Sequence, residues 1–277
     1  MKKAQIGAAS IHILLIVFSL LSLFPFLNMI TVAFTPNSYV LPYPPKFFPD
    51  SFYLGNFVES LSANRFGHYF LNSVVVAILS TFATLFVASL SAYGFARLDF
   101  PGKEILFKFY VFTLMVPAIL NIIPQFLVIK SFHLVDTRGG LVLFNVGGAI
   151  AGYTFFLRQF FQALPNELEE SAVIDGAGRF KIYSRIILPL SGPAMGTMTI
   201  FAFTGFWDEF FGALTLIKSE GKRTLPIAIR MFQGQHATDW GFVFAASLIA
   251  LIPIIVIYII FQKQFVQAGA VDGAVKE

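Results

Sequence analysis

Six long stretches of this chain contain no Asp, Glu, Lys or Arg, and their spacing limits what it can fold into more than any other feature. They lie between Lys3 and Lys46, and from Tyr69 to Ala96, Phe109 to Ile129, Gly139 to Leu157, Leu188 to Trp207 and Gly241 to Gln262. Each can house the roughly 20 apolar residues that a helix needs to cross a bilayer. A soluble domain carries about a quarter charged residues. Here 12% are charged and 57% hydrophobic, which would leave too much apolar surface in water. The pattern predicts an all-α integral membrane protein. It forms one transmembrane domain over 1–277, with spans near 12–34, 69–95, 105–129, 139–158, 190–217 and 241–262. The first stretch starts with Lys2 and Lys3, but its apolar part, Ile13 to Phe34, is longer than a signal-peptide core and lacks a small-x-small cleavage site. A retained first helix is expected.

Cysteine is absent, so there is no disulfide framework and no thiolate metal site. The net charge of +4 is spread thinly, with no dense basic patch for nucleic acid. Six spans place both termini on one side. Lys2, Lys3, Arg97, Arg158 and Lys263 mark helix ends on that side, and the positive-inside rule makes it the cytoplasm. The first external segment, Thr35 to His68, contains Pro36, Pro42, Pro44, Pro45 and Pro49 and is expected to be an extended loop. No phosphate-binding Gly-x4-Gly-Lys-Ser/Thr loop is present, since Gly176-Ala-Gly-Arg-Phe-Lys181 has the wrong spacing and no hydroxyl after the lysine. If ATP drives the protein, another subunit binds it. Gly148-x3-Gly152 and Gly192-x3-Gly196 each place two glycines on one helix face, which suits close helix packing more than a direct pore role.

The longest cytoplasmic segment, 159–189, predicts helix, turn, helix. Pro165 suits a first helical turn, and Glu167, Glu169 and Glu170 follow where carboxylates complement the positive helix end. Leu168 and Ala172 fall on one face at i, i+4. Asp175-Gly176 marks a turn, after which Phe180, Tyr183 and Ile187 form an apolar stripe opposite Arg179, Lys181 and Arg185. Two forms fit these residues: an amphipathic connector lying on lipid headgroups, or a rigid peg projecting from the membrane.

The segment resembles the EAA loop of bacterial ABC importer permeases: Glu-Ala-Ala, three residues, Gly, nine residues, then Ile-x-Leu-Pro. Here the matching residues are Glu170, Ser171, Ala172, Asp175, Gly176, Ile186, Leu188 and Pro189, with Ser171 in place of the first alanine. The resemblance implies a coupling helix that docks in a cleft of a partner ATPase. It extends over nearly the whole chain and is similar to the carbohydrate-uptake branch, near the second permease subunit of maltose-type transporters. Asn72-Ser73, Ala92-Tyr-Gly-Phe-Ala-Arg97, Met115-Val-Pro117, Trp207-Asp-Glu-Phe210 and Thr238-Asp-Trp-Gly241 carry it. The tail Gly269 to Lys276 fits less well, departing at Ala270, Val271 and Asp272. What the resemblance implies is a six-helix permease in a bacterial cytoplasmic membrane, with no cofactor of its own. Its partners would be a second permease subunit, two ATP-binding subunits carrying ATP and Mg²⁺, and an external sugar-binding protein. The mechanism would be alternating access.

In the third span Pro117, Asn121, Pro124 and Gln125 fall at i, i+4, i+7 and i+8, one face of a helix. That face fits either a polar pore wall or interhelical hydrogen bonds beside proline kinks. Asp208 and Glu209 end a long uncharged run, as a helix break, a gate contact or a membrane-surface pair. A permease for a non-sugar solute or a secondary transporter are the alternatives, although the latter needs deep coupling-ion carboxylates or an internal repeat, and neither is found. His12, His68, His133 and His236 are scattered, with no His-Glu-x-x-His, so neither catalysis nor a metal site is expected.

Overall fold

The computed structural model describes residues 2–62, 65–232 and 238–274, with side chains from 11 to 267 within those ranges. His236 and the end of the tail, 275–277, lie outside the described residues, as does part of the loop between Lys218 and Asp239. All regular secondary structure among the described residues is helical.

Two compact units divide the chain: Met1–Gly67 with Ala228–Leu251, and His68–Ile227 with Ile252–Glu277. In the first, α1 (Lys2–Ala33) leads into an irregular proline-rich segment and then α2 (Gly55–Ser62). That segment has no helix, as its prolines require. Asn56 of α2 donates to the carbonyls of Ala33 and Thr35, each at 2.9 Å, and so satisfies acceptors that α1 leaves open at its end. Ser60 donates to Phe242 O at 3.1 Å. The same unit holds the start of α13 (Trp240–Ala274), where Asp239 Oδ1 accepts from Gly241 N at 3.0 Å. Over its most apolar window α1 buries nothing within the chain, so that face is left for lipid or another subunit.

The second unit is built on α3 (Phe66–Arg97), α4 (Lys103–Thr113), α5 (Ile122–Ser131) and α6 (Arg138–Ala163). After these come α7 (Glu167–Ile174), α8 (Arg179–Ile182) and α9 (Leu188–Leu190), then α10 (Gly192–Trp207), α11 (Phe211–Leu216) and the first residues of α12 (Leu225–Phe232), whose remainder is counted with the first unit. Among the described residues, two clusters of buried side chains hold it together. One joins Ala92, Tyr93, Leu157 and Phe161 to Ala172, Ile182 and Ile187. The other joins Val76, Ile129, Leu141 and Phe144 to Ala213 and Leu216.

Four unbroken helical stretches are long and apolar enough to cross a membrane: Ile11–Ala33, Phe66–Arg97, Arg138–Ala163 and Trp240–Gln267. The expected third and fifth spans are not straight helices. The third bends by 100° between Lys103–Thr113 and Ala118–Ser131. Pro117, with φ −55° and ψ 129°, leaves the helical region there, and a 3₁₀ turn at Ala118–Asn121 precedes α5. Asn121 and Gln125 therefore do not share one continuous α-helix, and Pro124 falls in the first turn of α5, where proline is tolerated. In the fifth, Arg179–Leu190 and Gly192–Trp207 meet at 76°, at the buried Ser191, whose hydroxyl donates to Ile187 O at 2.7 Å. The helix then ends at Trp207 and restarts at Phe211, so 190–217 is interrupted twice. The expected last span, 241–262, continues as helix to Ala274.

The glycine pairs pack helices, as their spacing predicts, with Gly192 as the exception, and a Cβ on Gly152 would be in ordinary contact with Leu114 at 3.8 Å. A Cβ on Gly196 would lie 2.5 Å from Gln264 Cβ in α13, whereas one on Gly192 would meet nothing within 4 Å. A Cβ on Gly148 would lie 3.1 Å from the Gln125 amide nitrogen.

Candidate functional site

The segment after α6 folds as the sequence predicts, with a shift in which face is buried. α7 begins with three carboxylates in its first turn. It ends in a paired carbonyl lock: Gly176 N donates to Val173 O at 3.0 Å and Ala177 N to Ala172 O at 2.9 Å. This is a Schellman arrangement, which requires a left-handed residue after the C-cap. Gly176 fills that place with φ 78°. The buried face of α7 carries Glu169 and Ala172, at i, i+3, while Leu168 is 40% exposed. The expected pairing of Leu168 with Ala172 is therefore corrected by one residue's rotation. Glu170, Val173 and Ile174 face outward, together with the turn residues Asp175 and Gly176. Ser171 also points outward and donates to Glu167 O at 2.8 Å, so the hydroxyl is satisfied within its own helix.

Beyond the turn, α8 runs into a π-helical turn at Tyr183–Ile187. Tyr183 and Ile187 are buried, as the stripe predicts, but Phe180 is 72% exposed and Ile182 takes its place inside. The π turn adds a residue per hydrogen-bonded ring and shifts the inward face. Tyr183 is tied to α3 through its hydroxyl, 2.7 Å from Ser89 Oγ. Ile186 and Leu188 are half-buried against the same apolar cluster, and Pro189 is exposed.

The sequence marked Glu169 as a first-turn carboxylate and Arg97 as a helix-end charge, but did not pair them. Arg97, the last residue of α3, places Nε 3.0 Å from Glu169 Oε1, and both side chains are nearly buried, 6% and 11% exposed. Two lone charges in separate stretches carry no periodic signal, so nothing short of the fold pairs them.

Three of the four candidate path residues meet at one cavity of about 490 Å³. Asn121 and Gln125 reach it from either side of the start of α5, and Glu209 from the break after α10. Asn145, Gly148 and Tyr153 of α6 complete its polar and open side. Asp208 is exposed at the break and does not line this cavity. Glu209 also has a local duty: its two carboxylate oxygens accept from Gly212 N at 2.5 Å and Ala213 N at 2.8 Å, capping α11. Among the lining residues there is no Lys, Arg or His.

A second missed cluster braces the segment after α11. Asp136, in the left-handed region at φ 59°, accepts from Lys218 N at 2.9 Å, from Ser219 N at 2.8 Å and from the Ser219 hydroxyl. Lys222 Nζ donates to its carbonyl at 2.7 Å. These donors, with the Ser219 hydroxyl foremost, hold the Asp136 carboxyl well below the usual carboxylate range. From the other side, Asn72 donates to Gly221 O and Arg223 O at 3.0 and 2.9 Å, and Ser73 Oγ accepts from Leu225 N at 2.8 Å. Asn72-Ser73 thus fixes a distant loop.

Comparison with known proteins agrees with this architecture. Residues 85–268 match the family described as binding-protein-dependent transport system inner membrane component. The trehalose/maltose transport system permease protein of Thermococcus litoralis is 34% identical over 264 residues, covering 94% of both chains. The diacetylchitobiose uptake system permease protein of Streptomyces coelicolor is 32% identical over 267 residues, covering 96% of this chain and 87% of that one. A chain from the crystal structure of a bacterial ABC transporter that imports the acidic polysaccharide alginate superposes with a TM-score of 0.79 at 22% identity, covering 96% of this chain and 98% of that one. At that identity the likeness speaks for the fold. The match over most of the chain, with relatives above 30% identity along nearly its full length, shows that this protein belongs to the binding-protein-dependent transport system inner membrane components: it is an ABC-importer permease subunit rather than an enzyme.

Proposed function

We propose that this chain carries a neutral sugar or oligosaccharide from an external binding protein into the cytoplasm by alternating access. Each bent helix pair counts as one span, which gives six, with both termini cytoplasmic. The segment 159–189 is the coupling loop. Its outward face, with Glu170 and the Gly176 turn, meets a partner ATPase. The chain has no phosphate-binding loop, so ATP and Mg²⁺ are assigned to two separate subunits. A second permease subunit closes the pore and covers part of the apolar surface that α1 leaves open.

The observation that carries the substrate class is the cavity lining. Asn121 and Gln125 offer amide donors and acceptors for hydroxyl groups, and Tyr153 and Phe206 offer aromatic surface. The one charged lining residue is the carboxylate Glu209. An anionic solute entering a low-dielectric site without a cation pays its full desolvation cost, so uronates are disfavoured. Relatives that bear the names of trehalose/maltose and diacetylchitobiose systems support a neutral sugar. The test is uptake into proteoliposomes holding the complete complex, with the neutral oligosaccharide found by screening the cognate binding protein as labelled ligand. ATP-dependent uptake of that ligand, without competition from a uronate oligomer of equal length, is expected. Equal transport of the uronate would overturn the neutral-sugar assignment.

A further inference from the structure

At Arg97 three helices are fastened by one side chain. Its Nη2 donates to the carbonyls of Phe161 and Leu164, 2.6 Å each, at the end of α6. Its Nη1 donates to the Asn166 side chain just ahead of α7, and its Nε lies 3.0 Å from Glu169 Oε1 within α7, a buried ion pair that lacks hydrogen-bond alignment. Asn166 occupies the N-cap place of α7, yet makes no cap hydrogen bond with its side chain. An N-cap asparagine normally stabilises its own helix; here it serves the guanidinium instead. The carbonyl of Leu164 is among those a helix leaves unpaired at its C-terminus, where a cation is also favoured by the helix dipole, while that of Phe161 also accepts from Leu164 N at 3.3 Å.

Stability alone is a weak reason for such a pair. A buried ion pair typically does no better than apolar packing of the same volume. What an arginine fork supplies is direction, since five donors in one plane fix several acceptors at once. The side chains that α7 turns outward, Glu170, Val173 and Ile174, border one open pocket with Arg97 and Glu169, so the clasp sits directly behind the exposed face of α7. From the clasp, α6 runs as an uninterrupted helix to Tyr153, Gly148 and Asn145 at the cavity. Phe161 and Tyr153 are eight residues apart, a rise of about 12 Å.

We propose that Arg97 and Glu169 form a clasp that makes α7 move as one body with the inner ends of α3 and α6, so that displacement of α7 reaches the cavity wall. Arg97 is then a positioning residue for coupling and touches neither ATP nor solute. The proposal rests on the reading of α7 as the ATPase-docking helix. Without the clasp, α7 follows the ATPase while α6 stays behind, so hydrolysis continues and transport fails.

The test uses the full complex in proteoliposomes with its binding protein and that protein's labelled ligand. Arg97→Lys keeps the charge without the fork, and Glu169→Gln keeps the shape without the charge. Both should retain ATPase binding, melting temperature and basal hydrolysis, while solute moved per ATP falls on the order of tenfold, within the usual range of coupling between sites. The chain has no cysteine, so Arg97→Cys with Glu169→Cys can be bridged by a reducible bis-thiosulfonate linker. Bridging should restore solute moved per ATP, and reduction should abolish it again. An unchanged ratio in Arg97→Lys and Glu169→Gln would overturn the proposal. So would a loss of assembly and melting temperature with the ratio intact, which marks a merely structural pair. Failure of the α7 reading itself shows separately: a cysteine at Ile174 would then form no crosslink to the ATPase.

Discussion

Gly176 shows how a single residue sets the shape of the segment 159–189. A Cβ there would meet nothing within 4 Å, but φ is 78°. The constraint within this chain is therefore backbone conformation and not space. Gly176→Ala should cost about 1–2 kcal/mol and lower the stability of the loop, with Gly176→Val worse because β-branching narrows the allowed backbone further. Glu170→Lys makes the complementary prediction. Its side chain is exposed, so the chain should fold and insert normally while ligand-stimulated ATP hydrolysis is lost. Normal stimulated hydrolysis in an assembled Glu170→Lys complex would remove the docking role of this face. The Asp-Gly turn made Gly176 legible in sequence. The EAA resemblance picked out Glu170, but not that the adjacent Glu169, 100° further round a short helix, would turn inward. Asp136 gives a pH-dependent counterpart. Its folded pKa lies below the ordinary unfolded value of about 3.9, so the stability it adds is present above that value. The contribution is lost as pH falls through the folded pKa. Asp136→Asn should thus melt below wild type at neutral pH, and the two curves should converge as the medium becomes strongly acidic. A constant gap across the titration would assign the loss to shape alone.

At the scale of helices, breaks and close approaches were only partly visible in the sequence. Uncharged runs located every long helix, because bilayer length and lack of charge leave a strong signal. Pro117 gave notice of trouble in the third span, but proline kinks are tolerated in membrane helices, and neighbour packing decides whether a kink becomes a 100° bend. The charges of Asp208 and Glu209 left a helix break after Trp207 as one of three readings, while the expected span 190–217 ran straight through it; that Glu209 caps the next helix was not foreseen. The glycine pairs are alike in sequence and unlike in the fold. Gly196→Ala pushes a methyl against Gln264 Cβ and should cost about 1–3 kcal/mol through overpacking. Gly192→Ala should leave the melting temperature unchanged or raise it slightly, since the space is open and alanine is the better helix former. Equal losses at both positions would mean that Gly192 faces a partner subunit.

For the whole molecule, α6 runs as one rod between the segment 159–189, proposed to dock an ATPase, and a cavity that gathers Asn121, Gln125 and Glu209. These three come from two separate stretches of sequence, and their meeting depends on the bends at Pro117 and after Trp207, which bring the start of α5 and the break beside α6. A sequence pattern assumes a straight helix, so it supplied the amide pair and the break without the third wall formed by Asn145 and Tyr153. The measurement that bears most directly on the central claim is labelled-ligand uptake by the reconstituted complex carrying Asn121→Leu with Gln125→Leu, read beside melting temperature and basal hydrolysis. Leucine keeps similar volume while removing the hydrogen-bonding groups, each worth about 1 kcal/mol, so uptake should fall on the order of tenfold with assembly, melting temperature and basal hydrolysis unchanged. Full uptake in the double variant would contradict a translocation path along this cavity.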